Sequence, residues 1–184
     1  MPPLQTITEN LARAQKEFLS AADAIPAERW HVSPGEGRWS ACQVAAHLIM
    51  VERTILRGTD KLLQKPPQSL PFFKRLHMPM ALVESRLIKL KSPIPLDLEM
   101  VAPKEEMLAQ LREVRGRSLS FLEETKGRDL SKYHMPHPFL GVLNGYEWFQ
   151  MIASHQLRHT KQIREIATAL TKIALPKTVT SLQK

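Results

Sequence analysis

Apolar residues recur at steps of three and four along four stretches of this chain and alternate nowhere for long, a pattern of amphipathic helices. Ile7, Leu11, Ala14, Phe18, Ala21 and Ile25 keep helical spacing until Pro26 stops the run, and Thr6 with Glu9 can form a capping box. A first helix is therefore predicted over about 6–25. The second opens behind Ser40, which pairs with Gln43 in another capping box, while Trp39 and Val44 occupy the positions of a hydrophobic staple. Its stripe runs through Val44, Leu48, Val51 and Ile55 toward Leu62 and Leu63. The third starts near Pro103, with Glu105 and Glu106 favourably placed in the first turn, and carries Met107, Leu111, Val114, Ser118, Phe121 or Leu122, and Thr125. The fourth follows an Asn144/Glu147 capping box, with Leu143 able to staple to Trp148, and carries Trp148, Ile152, Ile163, Ile166 and Leu170.

Between these segments the pattern breaks. Residues 26–38 read as a loop, and Gly35-x-Gly37 lacks the third glycine and the preceding strand of a dinucleotide-binding turn. Residues 65–103 form a Pro-rich crossover, interrupted by a short helix predicted over 80–90, whose Phe72 and Phe73 argue that it packs on the body. Residues 126–143 read as a second long loop, and the tail 176–184 as frayed. Four amphipathic helices imply an all-α fold, a four-helix bundle forming one domain over 1–184 with its core at about 6–172. The long crossover can carry the chain the length of the bundle, so helices 2 and 3 can run parallel in up-down-down-up order.

The polar residues that interrupt the stripes carry the candidate chemistry. On the fourth helix the positions 148, 152, 155, 159, 163, 166 and 170 never leave steps of three or four, and two of them are His155 and His159. Residues four apart on a helix have Cβ atoms about 5–6 Å apart, and two imidazoles so placed can reach one ion at about 2.0–2.1 Å. A hydrogen-bonded pair of core histidines satisfies the same pattern, and seven histidines in 184 residues make one such pair weak evidence alone. The H-E-x-x-H motif of zinc proteases is excluded, because Gln156 stands where the general base would be. His47 shares a face with Val44 and Val51 on the second helix, which makes it the candidate third ligand.

Composition narrows the setting. A hydrophobic fraction of 43% against 24% charged residues belongs to a globular chain. The lone Cys42 cannot form an internal disulfide, the first residues lack a secretory pattern, and no apolar run is long enough to span a bilayer. A cytoplasmic protein with no membrane partner is expected. Cys42 lies at the second helical position, where a helix N-terminus can favour a thiolate, but a small, partly buried residue without a role is the preferred reading. The net charge of +8 raises nucleic acid as a partner. Its basic residues are scattered without a block of like charge, and aromatics are only 6% of the chain, so nucleic acid is the least favoured partner.

Two segments of the chain resemble the DinB-like superfamily of four-helix-bundle proteins. One is Gly37-Arg-Trp-Ser-Ala-Cys-Gln-Val-Ala-Ala-His47-Leu48, similar to that superfamily's entry to helix 2. The other is His137-Pro-Phe-Leu-Gly141, followed by Glu147-Trp148 and His155-x-x-x-His159-x-x-Gln162-Ile163. The resemblance implies a divalent metal, zinc, nickel or iron, held by His47, His155 and His159. It also implies homodimers, and transfer or isomerisation chemistry with a low-molecular-weight thiol such as bacillithiol, mycothiol or glutathione as cosubstrate.

Three neutral imidazoles leave an ion its full charge and an open position, the arrangement of catalytic zinc sites. The leading expectation is thus a metal-dependent enzyme moving a small thiol onto an electrophilic substrate. The alternatives are a metal-dependent hydrolase of a small substrate and a non-catalytic metal-binding stress-response protein. No sequence motif ties a catalytic carboxylate to the site. Gln162 can orient a ligand or simply pack, and His134 and His137 lie in the loop before the fourth helix, either near the mouth of the site or merely exposed.

Overall fold

The computed structural model describes residues 4–70, 81–84 and 102–173. Its four long helices are α1 (Leu4–Asp23), α2 (Ala41–Leu63), α4 (Lys104–Glu124) and α5 (Gly145–Leu170), with a four-residue α3 (Ala81–Glu84) in the crossover. The capping boxes at Ser40/Gln43 and Asn144/Glu147 are both formed in full, so two orphan N–H groups are satisfied at each of those helix starts. At the first helix the expectation fails. The helix already runs from Leu4, which puts Thr6 inside its first turn and not at its cap. Only Ala81–Glu84 of the predicted 80–90 helix, and only the ends of the 65–103 crossover, fall among the described residues; the 176–184 tail lies outside them.

Cross-links between helices fix their directions. Asn10 with Gln150 at 3.2 Å and Glu17 with Arg164 at 3.6 Å make α1 and α5 parallel. Gln15 donates to the Leu111 carbonyl and Lys104 to the Ile25 carbonyl, which makes α4 antiparallel to α1. Cys42 reaches Ala102, Arg53 reaches Gln110, and Arg128 reaches the Leu63 carbonyl, so α2 and α4 run the same way. The order is up-down-down-up. Leu63 lies beside Arg128 at one end of the bundle and Lys104 beside Ile25 at the other, as two consecutive parallel helices require.

The region 126–143, read from sequence as a loop, contains an antiparallel hairpin of β1 (His134–His137) and β2 (Gly141–Asn144). Four-residue strands are too short to display alternation, and Pro136 within β1 argues against a strand unless it lies at an edge, as it does here. Gly141 turns the chain at φ +93°, a conformation that favours glycine. The hairpin is anchored at both ends. Trp148 Nε1 donates to the Met135 carbonyl at 3.2 Å, and the Gly145 amide donates to the Tyr133 carbonyl at 2.9 Å. On α2, a Cβ at Gly58 would come 2.9 Å from Met135 Sδ, so strand and helix are in close contact.

The core has two apolar lobes. One gathers Phe18, Trp30, Ile49, Leu111 and Ile163, the other Leu11, Phe121, Leu143, Trp148 and Phe149. Between them lies a polar layer that no motif announced. Arg115 on α4, 1% exposed, grips both oxygens of Glu52 on α2, 3% exposed, at 2.8 and 2.9 Å. It also donates to Gln156 Oε1 on α5 at 2.8 Å and to the Leu11 carbonyl on α1, while Ser118 Oγ donates to Glu52 at 2.6 Å. One guanidinium thereby ties all four helices together.

Candidate metal centre

The cap at Ser40 sets the start of α2, so His47 stands two turns in and faces α5, where His155 and His159 are stacked one turn apart. The three rings meet. His155 Nε2 lies 3.3 Å from His47 Nε2 and 3.1 Å from His159 Nε2, and one ligand atom from each ring falls within 4.8 Å of the others. Metal–nitrogen bonds of about 2.0–2.1 Å place adjacent ligand nitrogens about 2.9 Å apart at right angles and about 3.3 Å apart at the tetrahedral angle. The observed separations fall in that range. A single N–H on His155 could point at only one of its two neighbours, whereas a cation between the rings would take a lone pair from each.

The surroundings hold the rings in that state. Gln162 Oε1 lies 2.8 Å from His159 Nδ1, and since an amide oxygen only accepts, Nδ1 carries the proton and Nε2 presents its lone pair. Trp39, whose sequence role was only to staple the helix start, walls the site. Its ring is 5.1 Å from that of His47 and stacks over that of His159 at 6.5 Å. His47 is 5% exposed, and its Nδ1 is buried without a hydrogen-bond partner among the described residues. Burial pushes the His47 pKa down to about 4. His155 is pushed well below its ordinary value, first by burial and then by the positive charges that His159, His47, Arg158 and His137 can carry. Both imidazoles are therefore neutral near pH 7, the form that ligates metals.

The sequence of the DinB superfamily matches residues 10–163, most of the chain and all three histidines. The chain belongs to the DinB superfamily. It is 24% identical over 154 residues to the uncharacterized protein YuaE of Bacillus subtilis strain 168, covering 83% of this chain and 92% of that one. Its fold matches YfiT from Bacillus subtilis, described as a probable metal-dependent hydrolase with an unusual four-helix bundle topology. That match has a TM-score of 0.62 and 16% identity, over 91% of this chain and 87% of YfiT.

Other residues singled out in this DinB-superfamily chain fall into place individually. His137 packs its ring 5.1 Å from that of Trp148, two turns before His155 on α5, and is close enough to His155 to influence its charge. His134 is farther along the hairpin, in register with Asn144 at its base. Cys42 is fully buried and donates to the Ala102 carbonyl at 3.4 Å; burial pushes its thiol pKa up, so the helix N-terminus does not make it a thiolate. Beneath His155 lies a cavity of about 10 Å³, lined by Glu52, Arg115, Gln156, Leu48, Val51 and Ile152. Glu52 and Arg115 went unremarked in the sequence, yet the signal used for the histidines applied to them. Glu52 follows Leu48 by four, and Arg115 follows Leu111 by four, each a polar residue at a core step.

Proposed function

We propose that His47, His155 and His159 hold a divalent cation and that the protein is a metal-dependent enzyme joining a small thiol to an electrophilic substrate. The observation that carries this reading is the convergence of three Nε2 atoms at 3.1 and 3.3 Å, with His159 locked in the ligating tautomer by Gln162. A donor set of imidazoles alone suits zinc, nickel or iron. A divalent ion with three neutral ligands supplies an undiminished +2 charge and an open position, which lower the pKa of a water or thiol bound there.

Thiol transfer is preferred to hydrolysis on the disposition of the carboxylates. Glu52 is bound by Arg115 and Ser118, and Glu84 on α3 accepts from Ser154 at 3.1 Å. Glu52 is thus engaged by a guanidinium and a hydroxyl, and a thiol, with an ordinary pKa of about 8.5 against about 15.7 for water, gives up its proton to solvent more readily than water does and depends less on a carboxylate base. The likeness to YfiT favours hydrolysis of a small substrate as the second reading.

The test begins with element-resolved metal analysis of the wild type and of His47→Ala. Metal-loaded protein is then supplied with bacillithiol, mycothiol or glutathione and a chlorinated aromatic electrophile, and formation of the carbon–sulfur bond with loss of chloride is followed. Wild type should exceed the uncatalysed rate with at least one thiol, and His159→Ala should lose that excess while staying folded. Ester or amide hydrolysis without thiol transfer would install the second reading. Metal binding with neither activity would leave a non-catalytic metal protein.

A further inference from the structure

The hairpin brings a fourth histidine to the rim of the cluster. His137 ends β1, and its Nδ1 accepts from two backbone amides, those of Phe139 at 3.1 Å and Leu140 at 3.2 Å. An imidazole nitrogen that accepts two N–H donors cannot carry a proton, so in the neutral ring the proton sits on Nε2. Nε2 has no protein partner among the described residues and is not sealed from solvent. The fold thus prepares a hydrogen-bond donor and leaves it unused.

Its position is fixed as firmly as its tautomer. The ring rests on Trp148, whose own N–H is bound to the Met135 carbonyl of the same strand, and Met135 in turn packs on Gly58 of α2. Trp148 and His155 lie seven residues apart on one face of α5, so the ring sits on the approach to His155 along that face. Half-burial keeps the His137 pKa below its ordinary value, and so keeps the ring neutral near pH 7. Beside it Phe139, 42% exposed with its ring 6.2 Å away, offers an apolar contact at the tip of the hairpin.

We infer that His137 Nε2–H is a substrate-positioning donor, binding a carboxylate or carbonyl oxygen on a ligand whose reactive end lies at the His47–His155–His159 cluster. The inference rests on the metal-centre reading and adds the ligand class, a short organic molecule with an oxygen acceptor a few atoms from the group bound at the cluster. Phe139 would flank its carbon chain.

His137→Asn is the informative variant. An Asn side-chain oxygen can accept from the amide two residues on, as in an Asx-turn, so the hairpin keeps an acceptor while the Nε2 donor disappears. Cobalt(II)-loaded wild type and variant would be titrated with ω-mercaptocarboxylates of two to four carbons and with alkanethiols of the same lengths, following the visible cobalt spectrum. The variant should bind the best mercaptocarboxylate about tenfold more weakly, the loss of one hydrogen bond to a charged acceptor. Its alkanethiol affinity, cobalt affinity and melting temperature should be unchanged. Nitrogen-15 spectra of the metal-free wild type should show the His137 proton on Nε2. Equal weakening for both thiol series would make His137 structural, no weakening would remove it from the ligand, and a proton on Nδ1 would break the argument at its first step. Failure of cobalt to bind at all would instead overturn the metal-centre reading, and this inference with it.

Discussion

Acid should destabilise the metal-free protein through a group that can be named. The His47 pKa falls from 6.5 in the unfolded chain to about 4 in the fold, because burial disfavours the charged ring. Between those values the unfolded state binds the proton and the folded state does not. Stability is therefore whole above about pH 6.5, declines as pH falls toward 4, and levels off below, where both states are protonated. A shift of about 2.5 units at 1.36 kcal/mol each gives about 3 kcal/mol lost over that window. His155, depressed by burial and by its cationic neighbours, acts in the same direction. The assay is urea unfolding of metal-free wild type and His47→Gln at steps from pH 7.5 to 4. Carboxylates titrate in both proteins, so the difference between the two curves reports His47 together with the part of the His155 shift that its charge causes, and should reach about 3 kcal/mol near pH 4. Parallel curves would mean that His47 is not buried and neutral in the fold. Added zinc should stabilise wild type near neutrality and progressively less below about pH 6, because protons compete for the same nitrogens.

Two more perturbations probe the supports of the site. Arg115→Met should cost about 3–5 kcal/mol in the same urea assay, since it leaves Glu52 charged and buried with only Ser118; the double variant with Glu52→Leu should recover part of that loss, and failure to recover any would show that packing, not charge, dominates. Gln162→Ala should weaken metal affinity about 10–100-fold by competitive chelator titration while leaving the melting temperature of the metal-free protein nearly unchanged, and an unaltered affinity would mean that Gln162 only packs.

The parts of this fold legible in the sequence were those written in local periodicity. Steps of three and four located the four helices, and Ser40 and Asn144 fixed two of their starts, because caps and amphipathic stripes are short-range properties. The meeting of His47 with His155 and His159 depended on a further inference, that polar residues at core steps on neighbouring helices must find one another. The hairpin stayed hidden because its stability comes from tertiary anchors, Trp148 on Met135 and Gly145 on Tyr133, and not from strand-like alternation.

The same logic, applied without a preference for histidine, would have reached the Glu52–Arg115 pair as well. A buried polar residue on an amphipathic helix costs free energy unless a partner arrives from another element. Each such residue at a core step is thus a prediction that a complementary one exists elsewhere. Glu52 needed a cation and Arg115 needed an anion, and the parallel course of α2 and α4 puts them at the same level of the bundle. His47 and His155 offer neutral nitrogens that, among the described residues, meet each other and His159, an arrangement that the proposed cation would complete. The two polar layers, at His47 and Glu52, are about one and a half turns apart on α2 and differ in this respect. The Glu52–Arg115 layer is satisfied by the protein alone, whereas the histidine layer, on the reading proposed above, would be completed by a cation.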